Sequence, residues 1–176
     1  MTNRKRYALV GTGGRALMFV DSIVKRFSKD CELVAICDTN PTRMDYYNKH
    51  IVQELDGTTV PSFDAQDFDT MIRTTSPDVV VVTTVDAFHH QYILRALELG
   101  CDVITEKPMT IDAEKCRSIV KAAQHSNNSI KVAFNYRWRP GCTLVRQLLK
   151  DKIIGDIIHV DMDYLLDTSH GADYFR

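Results

Sequence analysis

Three short stretches of this chain carry residue types that can do chemistry together. In VITEKPMT, residues 103–110, an apolar run ends abruptly in Glu106, Lys107 and Pro108. A lysine at the tip of a buried strand can hold its ammonium against a reacting oxygen and donate to it as negative charge develops. Standing alone, the same lysine would read as an ordinary solvated cation in a loop. In GTGGRA, Gly11, Gly13 and Ala16 satisfy G-x-G-x-x-G/A directly after another apolar run. The first glycine makes a tight turn, the second lets backbone approach a pyrophosphate, and the small third residue packs helix on strand. Thr12, Gly14 and Arg15 complete this candidate phosphate turn, whose free N–H groups at a helix start suit an anion. The third stretch is ICDTN, where Asp38 ends a second apolar run. A carboxylate there can accept both adenosine ribose hydroxyls and repel a 2'-phosphate, which favours NAD over NADP. The same aspartate also suits a turn before Asn-Pro. Arg43 follows closely enough to soften the discrimination, so NADP stays open as a cofactor.

These groups need a scaffold that brings strand ends together, and the rest of the sequence supplies one. Residues 7–10 form a short apolar run that breaks into glycines, and Ala16, Val20, Ile23, Val24 and Phe27 then recur at helical spacing. Residues 33–37 predict a second strand, ended by Asn40-Pro41, with Pro41 placed to begin a helix running to about Leu55. A short third strand is expected at 60–63, with Pro61 arguing for a sheet edge, and a brief helix at 67–73. The run DVVVVTT, residues 78–84, lacks alternation, as a strand covered on both faces must; it should be central in a parallel sheet. Ile93, Leu94, Ala96 and Leu97 mark the next helix, which Gly100 terminates in a left-handed conformation. A fifth strand follows at 101–105. Thr110 or Asp112 caps a helix whose core face is Cys116, Ile119, Val120 and Ala123, and residues 130–134 give a sixth strand. Strands alternating with helices in this way predict an α/β fold, a doubly wound, mostly parallel sheet of the Rossmann kind.

After Asn135 the pattern changes. Leu144, Val145, Leu148 and Leu149 describe one more amphipathic helix, and Ile158, Val160, Met162 and Tyr164 then alternate with polar residues. Period two predicts a strand buried on one face, which belongs to an antiparallel sheet. The expected organisation is a dinucleotide-binding domain over 1–135 and an incomplete start of a second domain over 136–176. A strand at 158–164 lacking the rest of its sheet would seek a partner, so self-association through this segment, or poor order in it, is expected.

Composition excludes several classes of function. The chain has 176 residues, enough for a real core, and 22 basic against 23 acidic residues leave a net charge of -1. Nothing suggests a surface for nucleic acid, and Arg4-Lys5-Arg6 is too short a cluster to change that. The apolar stretch after those three residues stops at Gly11, short of a secretory signal, and no segment approaches a membrane span. The five cysteines, Cys31, Cys37, Cys101, Cys116 and Cys142, include no C-x-x-C pair, so no metal site is expected. Free thiols in a reducing, cytoplasmic compartment are the simplest reading.

Taken together, GTGGRA, CDTNPTR after strand two, TTVDAFHH after strand four, EKP after strand five and FNYRWRP after strand six resemble the Gfo/Idh/MocA family of nicotinamide-dependent sugar and polyol oxidoreductases. The resemblance spans nearly the whole chain. It implies a Rossmann domain followed by an α/β domain with an open antiparallel sheet, and hydride exchange between NAD(P) and a carbinol carbon of a sugar, polyol or related small molecule. By the same resemblance Thr83 and Thr84 lie along the cofactor and His89 stands near the dinucleotide. Glu106 and Lys107 match the family's E-K-P, whose lysine faces nicotinamide and substrate, and Asn135 and Arg137 match its N-x-R.

Two departures from the family pattern matter. Val85-Asp86 replaces the usual Pro-Asn, and the family's D-x-x-x-H acid/base pair belongs to the second domain. Here D-x-x-x-H occurs at Asp86 and His90, at the start of a Rossmann helix, where it reads as coincidence. His170 is the local candidate for substrate contact, while Asp167 and Asp173 are not assigned as a proton-transfer pair. The expected function is the N-terminal portion of a dehydrogenase that is inactive by itself, and the alternative is a non-catalytic NAD(P)-binding sensor or regulatory module.

Overall fold

The computed structural model describes residues 4–165 and Thr168. Within them the chain divides into two compact units, one ending at Phe134 and the other beginning at Asn135.

The first unit is built on a six-stranded, wholly parallel sheet in the order β3-β2-β1-β4-β5-β6. The strands are β1 (Lys5–Val10), β2 (Cys31–Asp38), β3 (Ser62–Asp64), β4 (Val79–Val82), β5 (Asp102–Thr105) and β6 (Ile130–Val132). Helices α1 (Leu17–Asp21), α2 (Pro41–Glu54), α3 (Phe68–Thr75), α4 (Asp86–Glu98) and α5 (Ala113–His125) connect them. The strand order reverses between β1 and β4, and a crevice opens at such a switch point outside the carboxyl ends of the strands. The doubly wound α/β fold expected from the sequence is therefore the observed one.

Apolar alternation divides the core between the two faces. Leu9, Ile36 and Val81 pack with Ala16, Val20, Ile23, Met44, Tyr47 and Ile51 beneath α1 and α2. Ala8, Val10, Val80 and Val82 pack on the other face against Met71, Ile93, Ala96 and Ile119. All four valines of β4 are buried, which the unalternating run required. Each contributes on the order of 1.5–3 kcal/mol by leaving water.

Local chemistry fixes the element ends. The Asn40 side chain accepts from the backbone N–H of Arg43, with Pro41 at the first helical position. Asp112, not Thr110, caps α5 by accepting from Lys115 N–H at 2.8 Å. The Thr110 hydroxyl is buried without a hydrogen-bond partner among the described residues. Gly100 takes φ +81 after α4, as a left-handed helix end needs. The helix expected after the glycines is less regular than its spacing implied: a 3-10 turn at Gly14–Ala16 precedes α1, and a π turn at Ser22–Arg26 follows it. β3 begins one residue after Pro61 and lies at a sheet edge, where the missing N–H costs nothing.

The second unit contains a short turn, Asn135–Trp138, and the helix α6 (Pro140–Lys150). One expectation fails here. Residues 158–164 are not a strand, and Ile158, Val160, Met162 and Tyr164 are all exposed. An alternating segment becomes a strand only against a neighbour that takes its backbone hydrogen bonds and covers its apolar face. The described residues of this unit provide no such neighbour. His170, Asp167 and Asp173 lie outside the described residues.

Among the described residues no helix is long and apolar enough to cross a membrane, and no cluster of three or more His, Cys, Asp or Glu side chains is placed to hold a metal ion.

Candidate cofactor site

The turns after β1, β4 and β5 meet at the switch point, and each is held there by a different contact. Gly11 has φ +92 and accepts no side chain, because a Cβ there would lie 2.5 Å from the backbone nitrogen of Thr84. The turn after β1 is thus pressed directly onto the turn after β4. Thr83 locks the same junction: its hydroxyl donates to the Gly11 carbonyl at 2.7 Å, and its own N–H donates to Val10 O at 2.9 Å. Gly13 and Gly14 differ from Gly11, since a Cβ at either would meet nothing within 4 Å. Open space over consecutive glycines beside a helix start is the cradle that an approaching pyrophosphate requires. The residues present therefore fit a dinucleotide.

Asp38 is buried and does more than its position in the sequence suggested. Its Oδ2 accepts from Thr12 N–H at 2.5 Å and from the Thr12 hydroxyl at 2.8 Å. Its Oδ1 accepts from Asn40 N–H at 2.9 Å and makes only a long contact, 3.4 Å, with the Thr39 hydroxyl. Burial by itself would raise this carboxyl's pKa, but the hydrogen bonds from Thr12 and Asn40, helped by the positive charge of Arg43, hold it below its ordinary value. One carboxylate oxygen therefore organises the glycine turn, and the other keeps capacity for a ribose hydroxyl. Arg43 stands exposed in the first turn of α2.

Tyr47 is a contributor that the sequence reading missed. Its hydroxyl donates to the Gly13 carbonyl at 2.6 Å, reaching across from α2. Burial pushes the phenol up to about 12, so the hydroxyl keeps its proton. A tyrosine in an amphipathic helix carries no local mark of such a role; it looks like core.

The turn after β5 holds Glu106 and Lys107. Glu106 is 4% exposed, and its Oε1 accepts from Arg15 Nε at 2.8 Å. Its Oε2 accepts from the backbone N–H of Lys107 at 3.1 Å. The carboxylate thus grips the backbone of Lys107. The Lys107 side chain is exposed, and the Lys107–Pro108 peptide is cis.

His89 is 1% exposed, with Nδ1 2.8 Å from Pro108 O and Nε2 3.0 Å from Thr84 O. It ties the turns after β4 and β5 together from beneath and presents no free ring nitrogen. Thr84 is half-buried beside it, its hydroxyl 3.3 Å from Val85 O. The Asp86 and His90 side chains make no bond to each other; His90 Nδ1 instead lies 3.1 Å from Ala87 O. Asn135 and Arg137 belong to the second unit, where the Arg137 guanidinium sits 5.8 Å from the centre of the Trp138 ring.

A six-stranded doubly wound sheet with a glycine turn at its switch point defines a dinucleotide-binding Rossmann domain. Residues 5–134 match the model of the Gfo/Idh/MocA oxidoreductase family, described by its NAD-binding Rossmann fold, and the chain belongs to that family. It is 34% identical over 173 residues to the Bacillus subtilis protein YteT, covering 98% of this chain and 40% of that one. It is 28% identical over 155 residues to D-glucoside 3-dehydrogenase of Escherichia coli, covering 86% and 41%. Among solved structures, scyllo-inositol dehydrogenase of Lactobacillus casei with bound NAD(H) and scyllo-inositol superposes with a TM-score of 0.77 at 26% identity, over 88% of this chain and 43% of that one. The chain therefore spans about two-fifths of the length of these relatives.

Proposed function

We propose that this chain is the cofactor-binding part of an NAD-dependent dehydrogenase that exchanges hydride with a carbinol carbon of a sugar, polyol or related small molecule. The observation that carries this reading is the convergence at one crevice of the open glycine turn, the buried Asp38 and the exposed Lys107. The resemblance to D-glucoside 3-dehydrogenase and to an inositol dehydrogenase supports the substrate class.

Bound NAD supplies the hydride acceptor. Gly13, Gly14 and the N–H groups around them hold the phosphates, and Asp38 Oδ1 takes a ribose hydroxyl. Thr83 and Thr84 form the wall between the glycine turn and the lysine turn. Lys107 donates a hydrogen bond to the substrate hydroxyl and stabilises the oxygen as charge develops on it. The proton-transfer partner and the far wall of the substrate pocket belong to the second domain, so residues 1–176 alone bind cofactor without turnover.

Calorimetry on this chain should show NAD binding more tightly than NADP, because a 2'-phosphate would face the Asp38 carboxylate. Equal affinities would remove Asp38 from the ribose role. In a version joined to a complete second domain, Lys107→Ala should lower kcat roughly 100-fold or more with NAD affinity nearly unchanged. Full turnover in that variant would return Lys107 to a solvated loop lysine.

A further inference from the structure

Glu106 and Arg15 lie 91 residues apart, in turns that follow β5 and β1, strands that are not neighbours in the sheet. In the sheet, β4 separates β1 from β5, so the Arg15–Glu106 pair bridges over the carboxyl end of β4, a span of two strand spacings or about 9–10 Å. The carboxylate end of the pair is 5% exposed and the guanidinium end 43%. A carboxylate so deeply buried requires a partner, and among the described residues no other cation forms an ion pair with it. Its two oxygens are divided: one takes Arg15 and the other takes the Lys107 N–H.

We infer that Arg15 is a positioning residue for Lys107, and that through Glu106 it couples occupancy of the phosphate turn to the setting of the lysine turn. This rests on the cofactor-binding reading above. A guanidinium has five N–H donors, and the bond to Glu106 uses the one on Nε. The Arg15 side chain is 43% exposed, and its backbone belongs to the glycine turn, two residues from Gly13. A dinucleotide phosphate arriving at that turn brings negative charge to the outer edge of Arg15 while Nε still holds Glu106. The side chain then spans phosphate and carboxylate, and its loss of freedom is passed to the Lys107 backbone through a single rigid carboxylate. Lysine at position 15 would place a point charge there without the planar fork, and so would pair with the phosphate or the carboxylate but hold neither in a fixed direction.

The test uses this chain in solution, with nitrogen-15 labelling to follow the Lys107 amide. Without cofactor, Arg15→Gln should speed hydrogen exchange at Lys107 by roughly tenfold, the effect of losing about 1.4 kcal/mol of local protection. On titration with NAD, the wild-type Lys107 amide resonance should move in step with those of Gly13 and Gly14. In Arg15→Gln the glycine resonances should still move, at higher NAD concentration, while Lys107 stays in place. Arg15→Lys should restore binding more fully than it restores the Lys107 response. Should Arg15→Gln unfold the chain, Arg15→Gln combined with Glu106→Gln removes both charges and should refold it, again with an uncoupled Lys107. Wild-type exchange and a wild-type NAD response at Lys107 in either variant would overturn the inference. If the wild type binds no NAD, the cofactor reading fails and the coupling with it, whereas faster exchange in Arg15→Gln would still establish the tether.

Discussion

The Tyr47 hydroxyl donates to the carbonyl of Gly13 at 2.6 Å, so a helix on one face of the sheet holds the backbone of the glycine turn. The bond fixes the peptide plane following Gly13, and with it the direction of the next N–H. Tyr47→Phe keeps the ring in its buried place and removes only this restraint. NAD affinity should fall roughly three- to tenfold, the worth of one neutral hydrogen bond. The melting temperature should move little. Calorimetry and thermal denaturation measured side by side check this, and a large loss of stability with unchanged affinity would assign Tyr47 to the core alone.

The glycines of the turn should separate in their effects. Gly11→Ala forces a Cβ to 2.5 Å from Thr84 N and 2.6 Å from Thr83 C, in a left-handed conformation that disfavours alanine. The chain should lose several kcal/mol, on the order of an overpacked or strained site, or fail to fold. Gly13→Ala meets nothing within 4 Å and has ordinary backbone angles, φ -78 and ψ 175. Its stability should stay within about 0.5 kcal/mol of wild type, while NAD affinity drops because the methyl occupies the phosphate's approach. Denaturant titrations and NAD calorimetry on both variants give the comparison.

Asp38 should make stability depend on pH in a definite direction. Its carboxyl is held below the ordinary 3.8, so the folded state binds its proton less readily than the unfolded state. The stability it contributes is therefore complete above about 3.8 and is lost as the pH falls through the lower, folded value. Asp38→Asn removes the charge that Thr12 and Asn40 donate to. The gap between wild type and Asp38→Asn in urea midpoint should be widest at neutral pH and narrow below about pH 4. A gap that is constant down to pH 3 would show that the charge on Asp38 contributes nothing.

The thiols should react in order of burial and charge. Burial pushes Cys37 up to about 12 and Cys101 up to about 11, so neither forms thiolate near neutral pH. Cys142 is exposed on α6. Timed alkylation read by mass spectrometry should label Cys142 first, and Cys37 and Cys101 only after denaturant is added. Early labelling of Cys37 would mean that the sheet opens at β2.

Periodicity and punctuation determined the fold of the first unit. The unbroken valines of β4 required burial on both faces, Pro41 and Gly100 marked helix ends, and the glycine turn sat where a strand must give way to a helix. Such signals are local, because backbone preference and apolar spacing act within a few residues. The period-two pattern at 158–164 is local in the same way, yet it is not a strand here, because sheet formation depends on a partner.

The residues of the candidate site were legible as types and positions, but their connections were not. Thr12 meets Asp38 across 26 positions, Tyr47 meets Gly13 across 34, and Arg15 meets Glu106 across 91. Nothing in the spacing of these residues favours one partner over another. The winding of the sheet decides them, because it alone brings the ends of β1, β2, β4 and β5 to one edge. Burial then turns proximity into pairing, since a carboxylate withdrawn from water must find its donors among whatever the fold has placed beside it.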